Sequence, residues 1–270
     1  MMRLGGVLAA AQVPGAPVRA QMSGAGLSEQ WAGHERLDRD QVLAVLERAR
    51  PDAAADFYAK NLSGLKLAGV DFKGANLGAA VLNDADLSGA NLSGCNLTVS
   101  FAERAVLRGA NLRRAVMFSM QLRNADLSGA DLTGARFIGD LQHARLQGAR
   151  MVRMDGAADM KNQSMGLMRA VLTSADLTGA DLSGADFSRG DFSFAQLTRA
   201  RLHSARLFGA DFSGANLTEA DLAEADAREA KFIDTEFTGA DLTRADFSGS
   251  VWRNQHGLAS AQVDGARGLP

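Results

Sequence analysis

The chain has 270 residues, of which 46% are hydrophobic and 22% charged, a composition typical of globular proteins. Its 29 lysines and arginines nearly balance 31 aspartates and glutamates, which argues against non-specific attraction to nucleic acid and against a uniformly acidic, DNA-like surface. The single cysteine, Cys95, excludes an intrachain disulfide, and no apolar run of the sequence approaches the length of a membrane span.

Residues 1–36 form a glycine- and alanine-rich segment that we expect to be flexible. Arg3, the apolar stretch from Leu4 to Val13 and a cleavage-like Val18-Arg19-Ala20 are similar to an export signal. This pattern favours an exported or periplasmic protein over a cytoplasmic one. A disordered cytoplasmic tail is the alternative.

Residues 37–56 contain the signals of a short capping helix. Asp38 and Gln41 have the spacing of a capping box, and Pro51 ends the segment. Between them the apolar residues have helical spacing: Val42, Leu43, Val45 and Leu46. We therefore predict an amphipathic helix that covers the first repeat.

Residues 57–254 repeat every five residues, with a unit that can be written A-D/N-L-S/T-G. Large apolar residues occupy every fifth position from Leu62 to Phe137 and from Leu167 to Trp252, except at Ala102 and Ala227. This period fits neither a helix nor a strand, so the chain must turn a corner in each unit. We expect the large residue and the small residue two places before it to point inward. The Asp or Asn between them should face water, with Gly and Ser or Thr at the bend.

Units such as ADLSG at 125–129 and ADLTG at 175–179 give residues 57–252 a specific resemblance to the pentapeptide-repeat family. The resemblance implies an all-β fold, a right-handed quadrilateral β-helix in which four units form one square turn. Short helical caps are expected at both ends, with the C-terminal cap or tail in residues 255–270. About ten coils would stack, and residues twenty apart would form columns. The predicted core includes Leu172, Leu177, Leu182, Phe187, Phe192, Phe212, Phe232 and Trp252.

The repeat is irregular over residues 138–166. The large residues shift by one position to Leu141, Leu146 and Met151, and the pattern is then lost until Leu167. Because Phe137 and Leu167 are separated by a whole number of five-residue units, we infer one continuous solenoid with a bulge rather than an inserted loop.

The sequence lacks the motifs of common enzymes: a phosphate-binding loop, His-Glu-x-x-His, paired cysteines and Gly-x-Ser-x-Gly. Its four histidines are not spaced as metal ligands. Since small outward side chains offer no deep pocket, we predict a non-enzymatic protein without a cofactor or metal.

Two features are candidate partner contacts. The first is the bulge. Its methionines either fill an irregularly packed interior, form an epitope for a partner or bind Cu(I). Its candidate contacts are Met154, Met160, Lys161, Asn162, Gln163 and Met165. The second is a pair of carboxylate columns, which form either a solvated surface or a docking strip: Asp181, Asp221 and Asp241, and Asp186, Asp226 and Asp246.

Charge is unevenly distributed along the repeats. Residues 211–249 carry ten acidic and three basic side chains, whereas residues 104–153 carry nine arginines and three aspartates. A rod with opposite net charges in two regions along its length can orient a partner that comes into contact with it.

We therefore expect a rigid bacterial scaffold that binds an unidentified protein through its charged faces or through residues 138–169. We expect no direct nucleic-acid contact, and homodimerisation through the C-terminal end is an open alternative. The resemblance also implies a second hypothesis, since some members of the family mimic DNA, bind DNA gyrase and protect it from quinolones. Copper handling by the methionines is a third.

Overall fold

The computed structural model describes residues 31, 33–50, 52–158 and 168–270. The contacts divide the chain into two units, residues 1–32 and 33–270, and only Trp31 of the first unit is described. The predicted export signal and flexible segment therefore lie almost wholly outside the described residues.

Within the second unit, the described residues from Asp56 onward wind into coils that are joined by parallel β-bridges. Asp56 pairs with Asn76, twenty residues on, and the same step recurs at positions 61, 66 and 71. Four bridged positions per coil give a parallel β-solenoid with four faces. We number the faces 1 to 4 by the columns that begin at Asp56, Asn61, Lys66 and Asp71, and count the coils from Asp56. Each five-residue unit contributes three outward residues to its face: the bridged residue and the residues two and three places after it.

The unit at 125–129 shows why five residues make one side of a coil. Ala125 and Leu127 are fully buried, and the Ala130 amide donates to the Leu127 carbonyl over 3.0 Å, which closes a β-turn. Gly129 occupies the left-handed region with φ 66°, as the third position of such a turn requires. The Leu127 amide donates to the Arg145 carbonyl of the next coil over 2.7 Å. The inward assignment of the large and small residues is therefore confirmed.

The inner columns stack as predicted. Phe192 and Phe212 lie with ring centroids 4.9 Å apart and planes 7° apart, and Phe212 and Phe232 lie 5.5 Å and 10° apart. Trp252 continues the stack at 4.7 Å from Phe232, but it is half-exposed because no further coil covers face 2. The other predicted core residues are fully buried: Leu172, Leu177, Leu182 and Phe187.

The regular elements within the described residues are short. Helix α1 spans Arg39–Arg48 and has the predicted capping box, in which Asp38 accepts from the Gln41 amide and Gln41 accepts from the Asp38 amide. Its buried side chains are Val42 and Leu46. Strands β1 (Val116–Gln121) and β2 (Arg136–Asp140) pair in parallel, as do β3 (Lys231–Ile233) and β4 (Val251–Arg253). Neither α1 nor the short 3₁₀ turn that follows β4 is long and apolar enough to cross a membrane.

The middle of the solenoid differs from the expected bulge. Asp126 pairs with Arg145 at a step of 19 residues, whereas Asp140 pairs with Val171 at a step of 31. One residue is therefore missing opposite Ser119, and eleven residues are inserted between Asp155 and Val171. The inference against an inserted loop was wrong, although the solenoid is continuous. Residues 139–155 form a regular coil rather than part of a bulge.

The C-terminal segment also differs from the expected helical cap. Only Leu258–Ser260 forms a 3₁₀ turn. Gln262 then pairs with Asp241 and Arg267 pairs with Asp246, so the segment continues the solenoid with one extra residue. Backbone hydrogen bonds of the preceding coil, rather than a helix, hold this end in place.

Candidate binding surfaces

The two aspartate columns occupy the faces predicted for them. Asp181, Asp221 and Asp241 are bridged residues of face 4, and Asp186, Asp226 and Asp246 belong to face 1. All six are half-exposed rather than fully solvated. One carboxylate oxygen of each accepts from the backbone amide two residues on, as Asp181 does from Ser183 at 3.0 Å. These aspartates therefore stabilise their own turns, and the second oxygens of Asp186 and Asp226 are paired with Arg206 and Arg228.

The predicted epitope in the middle of the chain is only partly described. Met154 is 1% exposed and packs inside the fifth coil, so it cannot contact a partner and its assignment was wrong. Met151 is also fully buried, which removes both sulfurs from any exposed copper site. The remaining candidates lie outside the described residues: Met160, Lys161, Asn162, Gln163 and Met165.

Most arginines of the basic middle region are neutralised locally. Arg104 pairs with Asp84 at 2.8 Å, Arg113 with Asp131 at 3.0 Å, and Arg108 with Asp126 at 2.6 Å. Across the described chain, three arginines of this region have no ion-pair partner within 4.0 Å, and all of them lie on face 4: Arg114, Arg150 and Arg153. The excess positive charge predicted from the sequence is therefore concentrated on one side.

Sequence reasoning missed an apolar patch on face 1. It comprises Tyr58, Ala79, Val99, Val116 and Phe118, from four successive coils. Tyr58 is 59% exposed, Val99 46% and Val116 41%, and the Tyr58 ring lies over Gly78 of the next coil. The signal was present, because these outward positions normally carry Asp, Asn, Ser, Thr or Gly in this repeat. We call this set the apolar patch.

The surface offers shallow depressions rather than a convergent site. One of them has a volume of about 440 Å³ and is lined by Ser93, Gly94, Asn111, Arg113 and Arg114 on face 4. Among the described residues, no three His, Cys, Asp or Glu side chains converge in a way that could hold a metal ion. The arrangement suits contact with an extended surface better than enclosure of a small molecule.

The surroundings of two side chains, Cys95 and Asp126, shift their pKa values. Burial raises the pKa of the Cys95 thiol to about 12. Burial also raises the pKa of Asp126, which is 6% exposed, but hydrogen bonds from Ser128 and Arg108 outweigh it and hold this pKa below its usual value. Neither group is placed to act on a bound molecule, so both are structural.

Comparisons with known proteins agree with this architecture. The family model described as Pentapeptide repeats matches residues 61–98, 103–139, 167–203 and 210–249, more than half of the chain. A comparison with curated proteins finds no match.

Several solved structures are similar to the chain. HetL, a pentapeptide repeat protein involved in heterocyst differentiation regulation from Nostoc sp. strain PCC 7120, is 28% identical over 85% of this chain and 96% of its own, with a TM-score of 0.41. The pentapeptide repeat protein alr5209 from Nostoc PCC 7120 is 31% identical over 41% of this chain and 82% of its own, with a TM-score of 0.35.

The fluoroquinolone resistance protein QnrB1 is 21% identical over 77% of this chain and 90% of its own, with a TM-score of 0.31. The extent of the family match, together with the five-residue unit seen in the coils, decides the classification. The chain belongs to the pentapeptide repeat family.

Proposed function

We propose that this protein is a non-enzymatic scaffold, a right-handed quadrilateral β-helix whose outer wall binds a protein partner. The observation that carries the proposal is the apolar patch on face 1. Exposed apolar groups gathered over several coils are typical of protein–protein contact sites, whereas isolated ones are common on any surface.

The wall beneath the patch is rigid. The Phe57 amide donates to the Asn76 carbonyl over 2.7 Å, and the Leu77 amide donates to the Asn96 carbonyl over 2.7 Å. Asn76 and Asn96 also form a side-chain ladder with Asp56, with bonds of 2.9 and 3.1 Å. The patch is therefore held in place before a partner arrives, which lowers the conformational cost of binding.

Charged groups surround the patch, as at a protein interface with an apolar centre and a polar rim. Asp56 lies beside Tyr58 on the first coil, and Arg136 follows Val116 in the same column. In this proposal the two groups set the orientation of the partner, and the apolar residues supply most of the binding energy.

A triple variant tests the proposal: Tyr58→Ser, Val99→Asn and Phe118→Ser. Asn tolerates the left-handed φ of 60° at Val99. The matched control is Phe194→Ser, which removes an aromatic ring that is 62% exposed on face 2. Each protein is cross-linked to its partners in an extract of the native source, and the captured proteins are quantified. The wild type and the control should capture the same proteins, and the triple variant should not capture them. An unchanged set of recovered proteins would contradict the proposal.

Residues 138–169 and the aspartate columns remain part of the proposal as secondary contacts. Deleting residues 159–167 and reversing the charge of Asp221 and Asp241 test them separately. Each change should weaken binding of the same partner without affecting the circular dichroism spectrum. If neither change alters binding, the apolar patch acts without them.

Binding of DNA gyrase is the second candidate function. The carboxylates of face 4 favour it, because Asp181, Asp221 and Asp241 stand in one column and have no ion-pair partner within 4.0 Å among the described residues. A supercoiling assay with and without a quinolone separates the two functions. Inhibition or drug protection by the wild type, lost on charge reversal of Asp221 and Asp241, would support the gyrase hypothesis.

A further inference from the structure

Face 4 has a distribution of charge that the other faces lack. On its first five coils, five cations oppose two carboxylates, for a net charge of +3: Lys73, Arg113, Arg114, Arg150 and Arg153 against Asp71 and Asp131. On its next five coils, five carboxylates oppose two arginines, for a net charge of −3: Asp181, Asp221, Glu224, Asp241 and Asp264 against Arg201 and Arg244. The face is therefore divided into two halves of equal and opposite charge.

Most of these charges are not neutralised within the molecule. In the part of the chain that the structure describes, no ion pair within 4.0 Å involves Arg114, Arg150 or Arg153. In the acidic half, Glu224 forms ion pairs with Arg244 and His203. The other four carboxylates have no cationic partner within 4.0 Å among the described residues: Asp181, Asp221, Asp241 and Asp264. Both halves thus present charge to a partner of the opposite sign.

Part of the charge of face 4 stands on the corner residues of its turns. Arg114, Arg153 and Glu224 occupy the left-handed corner of their turns, with φ of 57°, 53° and 61°. Glycine fits this corner without strain, but among the described residues the left-handed corner holds 22 non-glycine residues and 18 glycines. The same corner carries long charged side chains on other faces, as at Arg104 and Arg199, so face 4 is distinguished by the opposite sign of its charges in the two halves.

The spacing of the two halves is symmetric. Arg114 and Arg153 lie on the third and fifth coils, and Glu224 and Asp264 lie on the eighth and tenth. Each pair therefore spans two coils, about 10 Å at the spacing between neighbouring β-strands. A two-fold axis between the sixth and seventh coils places Arg114 opposite Asp264 and Arg153 opposite Glu224 of a second copy. Such an axis makes the same contact twice, as an isologous dimer requires.

We propose that the protein forms an antiparallel homodimer through face 4, in which the basic half of one copy contacts the acidic half of the other. The occupant is a second copy because only a face with this symmetric division complements itself. The contact does not involve the apolar patch on face 1. It does involve the face 4 column of Asp181, Asp221 and Asp241, so in the dimer these aspartates contact the second copy rather than the proposed partner.

Sedimentation velocity at low and high salt tests the dimer. At about 0.01 M salt the Debye length is about 30 Å, and at about 1 M it is about 3 Å. The wild type should be dimeric at low salt and should dissociate at high salt. The control Arg199→Glu changes an exposed corner residue of face 3, where φ is also 57°, and should dimerise like the wild type.

Charge reversal gives the decisive comparison. Arg114→Glu with Arg153→Glu makes face 4 acidic throughout, and Glu224→Arg with Asp264→Arg makes it basic throughout. Each variant alone should be monomeric at low salt, with its dimer affinity reduced by at least tenfold. An equimolar mixture of the two should form a one-to-one heterodimer.

Two results would overturn the proposal. One is a wild type that stays monomeric at low salt up to its highest soluble concentration. The other is dimerisation of both charge-reversed variants as strongly as the wild type, which would place the contact elsewhere, for example at the C-terminal end. Circular dichroism of each variant shows whether the fold is retained, so loss of folding is distinguishable from loss of the dimer.

Discussion

Replacing Phe212 by alanine is expected to destabilise the last coils of the solenoid by about 4–5 kcal/mol. Substitution of a buried Phe by Ala typically costs about 3–5 kcal/mol, with larger values where the surroundings cannot collapse into the cavity. Phe212 is fully buried between the rings of Phe192 and Phe232, at 4.9 and 5.5 Å. Backbone hydrogen bonds on both sides, from Phe212 to Lys231 and from Asp211 to Gly190, fix the coil spacing and keep the cavity open.

Urea unfolding followed by two probes measures this cost. The chain has two tryptophans, so a Trp31→Phe background makes Trp252 fluorescence a reporter of the C-terminal coils. Far-ultraviolet circular dichroism reports the whole solenoid. Because each coil contacts only its neighbours, the Trp252 transition should move to lower urea than the circular dichroism transition.

Phe194→Ala is the matched control, since this ring is 62% exposed and should cost less than about 1 kcal/mol. If Phe212→Ala and Phe194→Ala shifted the Trp252 transition equally, stacking of the inner column would not be what stabilises these coils.

Three further predictions concern the middle of the chain. Gly139→Ala should destabilise more than Gly129→Ala in thermal unfolding. A Cβ at Gly139 would lie 2.2 Å from the Met120 carbonyl oxygen, whereas Gly129→Ala meets no neighbouring atom within 4 Å and costs only the strain of its left-handed φ of 66°. The lowered pKa of Asp126 means that its contribution to stability is present above about pH 4 and is lost as the pH falls through the folded-state pKa. Asp126→Asn should therefore lower stability at neutral pH and flatten its fall in acid, and equal pH profiles would contradict this. Cys95 is fully buried and has a pKa of about 12, so a thiol reagent at pH about 8 should label it only at the rate of unfolding.

The five-residue period carried most of the fold because burial imposes it directly. The inward position of the large residues followed from this period. The twenty-residue step that aligns Phe192 with Phe212 followed instead from the resemblance to the pentapeptide-repeat family, which implies four units per coil. The capping box was equally local, since Asp38 and Gln41 need only each other and the first turn of α1.

The middle of the chain could not be derived in the same way. The loss of one residue and the insertion of eleven lengthen the chain by ten residues, which is two whole repeat units. The phase of the five-residue pattern at Leu172 is therefore the same as if nothing had been inserted. Only the pairing between coils separates the two cases. The same change of step explains why the charge distribution of face 4 was not recognised from the sequence. Asp131 pairs with Arg150, nineteen residues on, rather than with the residue twenty places on.

The apolar patch was missed for a different reason. Sequence periodicity identifies outward positions, but the excess of Val and aromatic residues there becomes visible only when four coils are aligned. Val99 and Val116 are 17 residues apart in the sequence and yet belong to the same face in successive coils.

The eleven-residue insertion has a consequence for how such chains diversify. The coils on either side pair as though it were absent, with Asp155 bridged to Asp186 and Val171 to Asp191. A corner of the solenoid can therefore gain peptide of another length or composition without altering the alignment of the layers above and below. The connection between Asp155 and Val171 is therefore a natural grafting point, where a foreign recognition sequence could be displayed on an otherwise unchanged stack.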